Sequence, residues 1–192
     1  MIFGDFDTMD LLRKLKHWHL FLIITGLPLV IQFIQSILFV ASGQDYPGTS
    51  SFLGLIVIIS LLCYFLWVAA AGKKFSESPD SPPMKTQRFL ISLWISGLSH
   101  LFLLIYFWSY PHNLNQTEED EVIPIMVVGL IVFVALFTLF YCLSFMARAI
   151  VQLERGRRIT SSEYFGEFIM AVIFPIGIWL LQPRINRLDK TV

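Results

Sequence analysis

The side chains in this sequence whose types and spacing could do chemistry are few, and most fall inside apolar runs. His100 is the one ionisable residue deep within such a run. Gln32 and Gln35 lie three residues apart, hence on one face of a helix, and Ser60 and Ser99 add hydroxyls at comparable depth. An imidazole among amides and hydroxyls has the makings of a proton relay or a ligand contact. The same residues also read as a neutral imidazole hydrogen-bonded across a helix interface, a contact worth only about 0.6–2 kcal/mol. A proton-coupled carrier commonly uses a carboxylate in the membrane, and the cores of these runs hold no Asp, Glu, Lys or Arg.

A second constellation lies near the C-terminus: Glu163, Glu167, Gln182, Arg184 and Asn186. Two carboxylates one helical turn apart, with an arginine and two amides, suit a lipid headgroup or a protein partner. Acid–base work there would need a carboxylate within about 3 Å of the substrate proton, and nothing nominates a nucleophile beside it. Metal chemistry finds no support. His17 and His19 are two apart and point about 200° from each other on a helix, so with Lys14 and Lys16 they read as an interfacial anchor. The acidic run 118–121 lacks the glycine and alternate-ligand spacing of a calcium loop and reads, with His112, as a solvated face. Asn115-Gln116-Thr117 is a glycosylation acceptor only in a eukaryotic host. Cys63 and Cys142 fall in apolar runs and imply neither disulfide nor metal. No catalytic residue, metal, cofactor or nucleic acid is expected.

The elements that must position these groups follow from composition. Hydrophobic residues make up 56% of the chain and charged residues 15%, with a mean hydropathy of +0.69. A water-soluble domain carries about a quarter charged residues, so the solvent here is lipid. Crossing about 30 Å of hydrocarbon takes roughly 20 residues of helix. The runs 20–40, 52–71, 89–108 and 122–146 meet this. The expected fold is an all-α membrane protein with a four-helix transmembrane unit over 1–159 and a separate segment over 160–192. The first run is longer than a signal-peptide core of about 7–15 residues, and Asp5, Asp7 and Asp10 spoil a basic leader.

Charge sets the orientation. Arg13, Lys14 and Lys16 precede the first run; Lys73, Lys74, Lys85 and Arg88 separate the second from the third; Arg148, Arg155, Arg157 and Arg158 follow the fourth. The other two loops carry only acidic charge, so the basic segments and both termini are expected in the cytoplasm. Trp18, Trp67, Trp108 and Tyr110 lie near run ends, as interface anchors would. The Ser- and Pro-rich stretch 72–87 reads as a flexible linker between two hairpins. Gly54-Leu55-Ile56-Val57 recurs as Gly129-Leu130-Ile131-Val132, Phe65 matches Phe140 and Lys73 matches Arg148, as a duplication would leave them. Small residues at Ala69-Ala70-Ala71-Gly72, and Gly26 with Pro28, favour close helix approach or a bend.

The last thirty residues are the most distinctive. Thr160-Ser161-Ser162-Glu163 is a capping box and opens a helix through about Phe174. Pro175 and Gly177 then interrupt the run, and Gln182-Pro183-Arg184 ends it. Spanning would export Arg184, Arg187 and Lys190 against the charge rule, so a re-entrant or interfacial segment is favoured over a fifth span. The stretch Phe174-Pro175-Ile176-Gly177-Ile178-Trp179, followed by Gln182-Pro183-Arg184-Ile185-Asn186, resembles the C-terminal signature of small multipass membrane proteins found in Bacteroidota. The resemblance covers about 30 residues from Ser161; it implies a bacterial inner membrane and no activity. The reading preferred on these residues is a non-enzymatic accessory or assembly subunit that docks through its cytoplasmic face. A small transporter or channel past Gln32, Ser60 and His100 is the first alternative, and a lipid-headgroup enzyme the second. The bilayer is the first partner, with a membrane protein or a second copy of the chain beside it.

Overall fold

The computed structural model describes residues 16–42, 47–79, 81–109 and 118–188. Arg13, Lys14, Tyr110, His112 and Asn115, and the side chains of His17, Trp108 and 118–121, lie outside the description. Among the described residues the fold is all helical: α1 (His17–Phe21), a π-helical turn (Leu22–Gly26), α2 (Leu27–Ser42), α3 (Pro47–Glu77), α4 (Thr86–Ser109), α5 (Glu118–Arg155), α6 (Ser161–Val172) and α7 (Phe174–Leu188). The stretches Trp18–Leu38, Gly54–Glu77, Thr86–Tyr106 and Met126–Arg155 are long and apolar enough to cross a membrane. The protein is an integral membrane protein with four such helices among the described residues.

Two helices overrun the stretches expected from hydropathy. α3 continues to Glu77 and α5 to Arg155, because hydropathy marks the edge of the lipid while backbone hydrogen bonding carries on into water. The stretch 72–87 is therefore not a flexible linker. Its first six residues are helical, Phe75 and Ser78 are buried, and Ser76 and Thr86 share a 2.9 Å hydroxyl contact across the remaining loop.

α3 is the central element. Of its most apolar stretch 56% is buried, against 11% for the first and third spans and 17% for the fourth. It meets the first span on one side and α4 and α5 on others. Close approach depends on Gly72, where an added Cβ would lie 2.5 Å from the Phe89 ring; that ring in turn stacks on Phe145 at 4.5 Å. The segments that match in sequence occupy unlike places: Gly54 and Phe65 are buried, whereas Gly129 and Phe140 are exposed. Trp67 is not an interface anchor but a core residue, 1% exposed.

Two features bend the chain. Leu27 N–H donates to Leu22 O, one residue further back than in an α-helix, so the first span contains a π turn. The next amide in line for Ile23 O is that of Pro28, which has no N–H. Ser60 Oγ donates to Ile23 O instead, at 3.1 Å. The second bend is at Ile173, between α6 and α7, with φ −80° and ψ 68°. Pro175 begins the new helix rather than breaking the old one, since the first turn needs no N–H from it. Nor does Pro183 end the run, for α7 continues through it to Leu188.

The 12-residue α6 and 15-residue α7 are each shorter than a span and form an antiparallel pair. α6 returns along α5, with the Phe168 ring edge-on to Phe140 at 6.3 Å and Ser144 Oγ donating to Tyr164 Oη at 3.3 Å. α7 runs back beside α1 and α6. Its residues Ile178, Leu181, Gln182 and Ile185 repeat at three and four and are all fully buried. Gly177 has to be glycine: an added Cβ would overlap Met170 O and lie 2.8 Å from its carbonyl carbon.

Candidate functional site

The polar groups expected inside the membrane are not brought to one place. Ser60 faces the first span, where Ile23 O accepts from its hydroxyl, shared with Ile56 O of its own helix. His100 lies across α3 from it: the ring meets Phe65 edge-on at 5.5 Å, and Nδ1 is 2.8 Å from Ser96 O of its own helix. Ser60 and Phe65 are five residues apart, about 140° around α3, so the helix separates the two groups. Gln32 is exposed, Gln35 and Ser99 are half-buried, and Gln32 O accepts from Ser36 Oγ at 2.9 Å. The buried core of the bundle, with Tyr64, Trp67, Val68, Phe89, Leu143 and Met146, is packed closed toward the hairpin end of the same helices.

The C-terminal constellation is assembled, in two networks. Arg184 on α7 donates through Nε and Nη2 to both oxygens of Glu154 on α5, the first at 3.0 Å. Its Nη1 donates to Glu167 Oε1 on α6 at 2.9 Å. One guanidinium thus ties three helices, its fork matching the Glu154 carboxylate as a bidentate pair. The two carboxylates, Glu154 first, push its pKa further above the ordinary arginine range. One turn away, Gln182 Nε2 donates to Asn186 Oδ1 at 3.0 Å, and Gln182 Oε1 accepts from Trp67 Nε1 at 2.6 Å. That last bond is fully buried and joins α7 to the central helix.

Glu163 belongs to the second network. It closes the capping box on the Thr160 N–H at 2.8 Å and takes ion pairs from Arg155 and from Arg157, the latter at 2.6 Å. The Thr160 N–H, then Arg157, hold its carboxyl down to about 2. α5 ends in the left-handed turn of Gly156 at φ +62°, whose N–H returns to Gln152 O at 2.9 Å. That turn allows Arg155 and Arg157 to flank Glu163.

Trp67, Glu154, Arg155 and Arg157 were absent from the sequence-based candidates. Glu154 had one signal, as the single acid in the basic stretch 148–158. Trp67 had none, since its partner lies 115 residues away. Trp18 stacks on His19 at 3.6 Å. Among the described residues no group of three or more His, Cys, Asp or Glu side chains is placed to hold a metal ion. The chain matches no family model, no curated protein and no solved structure.

Proposed function

We propose that this chain is a non-enzymatic accessory or assembly subunit of a membrane complex, docking a partner through its cytoplasmic face. The observation that carries the reading is the consumption of three acids of the C-terminal network in ion pairs: Glu154 and Glu167 on Arg184, Glu163 on Arg155 and Arg157. Carboxylates so held are poor general bases, while Lys85, Arg88, Arg148 and Arg158 remain exposed around them. A rigid base with a cationic rim fits a binding surface. The basic segments and both termini then lie in the cytoplasm of a bacterial inner membrane, by the charge rule and the resemblance to Bacteroidota proteins. The α6–α7 pair is re-entrant in this reading. Ile173, Trp179 and Leu180 are exposed to lipid toward its tip, and its backbone is sheltered by α5 and α1. A conduction path past Gln32, Ser60 and His100 is disfavoured by the packed bundle centre.

Recovery of the tagged full-length chain from native membrane in mild detergent tests the reading. A partner is expected in near-equal amount, and the double change Arg148→Glu with Arg158→Glu is expected to release it. Recovery of the bare chain, under conditions that hold other membrane complexes together, would overturn the proposal.

A further inference from the structure

The polar side chains of the spans mostly find partners within the fold. Ser60 donates to Ile23 O and Ile56 O, Thr138 to Val134 O, and Ser36 to Gln32 O, while His100 lies on Ser96 O. Gln32 is different. Its side chain is exposed and its amide has no hydrogen-bond partner among the described residues. The residue lies 14 positions beyond Trp18, where the span begins, which is about 21 Å along the helix. In about 30 Å of hydrocarbon that leaves roughly 9 Å to the nearer boundary, further than a glutamine side chain reaches. The amide cannot escape to water, and an amide left bare in hydrocarbon is costly. Such groups in membrane helices are the usual means of holding one helix to another.

We propose that the face of the first span centred on Gln32 is the contact between two copies of this chain, with the two Gln32 amides hydrogen-bonded to each other. A second copy suits this face in three ways. The membrane imposes one orientation on both copies, so a two-fold axis along its normal puts each Gln32 at the same depth. An amide is both donor and acceptor, so the pair closes reciprocally without an unlike partner. The rest of the face is uncharged: Leu29, Ser36 and Val40 follow the same stripe at helical spacing and are all exposed. Ser36 is small and its hydroxyl is turned to its own helix, which lets a second backbone come close. Among the described residues the first span packs mainly against α3 and α7, and the exposure of this face shows that the fold does not cover it. The inference is independent of the docking surface proposed above, which lies at the other end of the bundle.

Dimer dissociation of the full-length protein in liposomes, followed by single-molecule photobleaching as lipid dilutes it, tests the contact. The parent is expected to dimerise. Gln32→Leu should raise the dissociation constant about tenfold with an unchanged thermal unfolding midpoint, whereas Gln32→Asn should keep most of the affinity. Cysteines at Leu29 and Ser36 should cross-link the copies, and cysteines at Val30 and Ile34, on the far side of the helix, should not. A monomer at every dilution, a Gln32→Leu dimer as tight as the parent, or cross-linking through 30 and 34 would each overturn the proposal. So would capture of a different membrane protein on the Gln32 face in place of a second copy.

Discussion

Around Trp67, Phe89 and Gln182 the helices bury their side chains as fully as a water-soluble core does, yet beyond Ile24, Ile56 and Ala135 the same helices turn theirs outward. Phe33 is 67% exposed and Val40 82%, in the span whose other end buries Leu20 and Ile24. The two ends answer to different solvents. Lipid tails solvate leucine and phenylalanine as well as another helix does, so the far end gains little by closing. The hairpin end gains close contact through Gly72 and Gly177, and hydrogen bonds and ion pairs through Trp67, Gln182 and Arg184. Cohesion in this protein comes from shape and polar pairing at one end.

Matched glycines offer the largest test of that contrast. Gly177→Ala at the hairpin end would drive a methyl group into the Met170 peptide, and backbone cannot move aside as a side chain can. A loss of about 3 kcal/mol is expected, read as a lower thermal unfolding midpoint together with new proteolysis between α5 and α7. At the far end Gly129 has open space around the same position. Gly129→Ala should be neutral or stabilising by up to about 1 kcal/mol, because alanine is the better helix former. Equal losses at both positions would erase the distinction between the two ends.

A smaller effect is expected where the buried polar bond is cut and the packing largely kept. Trp67→Phe removes the donor to Gln182 Oε1 while retaining a large aromatic ring. Losing that fully buried hydrogen bond should cost about 1 kcal/mol or more in unfolding experiments in detergent. His100→Leu, outside this core and beside a carbonyl of its own helix, should stay within about 0.5 kcal/mol. If the two substitutions cost the same, polar pairing does not distinguish the hairpin end.

How much of this was legible in the sequence divides along the same line. The four apolar stretches were legible because hydropathy reports contact with lipid directly. The capping box at Thr160 and the hairpin around Gly177 were legible because each is set by residues a few positions apart. The close approach at Gly72 was visible as a run of small residues. Trp67 was not, because a tryptophan near a span end serves equally as an interface anchor or as a core residue. What decides is the arrival of Gln182, which only the folded chain brings. The intramembrane cluster failed for a related reason. Matching depth along the membrane says nothing about azimuth, and α3 stands between Ser60 and His100. Pro183 was read as a stop because an isolated helix would end there, but α7 is held on both sides of it by Leu181 and Ile185.

Protonation gives the smallest and most selective test. The Glu163 carboxyl is held at about 2 in the folded protein, against an ordinary value of 4.5. The folded state therefore binds this proton less readily than the unfolded state. The stability it contributes is complete above pH 4.5 and disappears as the pH falls through 4.5 to 2. Glu163→Gln keeps an oxygen that can accept from the Thr160 N–H but loses the charge that Arg155 and Arg157 face. The variant should unfold at a slightly lower temperature than the parent at pH 6, and the gap should close as acid protonates the parent. The pair is solvent-exposed, so added salt should narrow the gap at pH 6 as well. Every other carboxylate is common to the two proteins, and the difference between the two curves isolates this one group. Parallel curves from pH 6 to pH 2 would mean that Glu163 holds α6 by the geometry of its cap alone, and that the arginines at the end of α5 are free to meet something else.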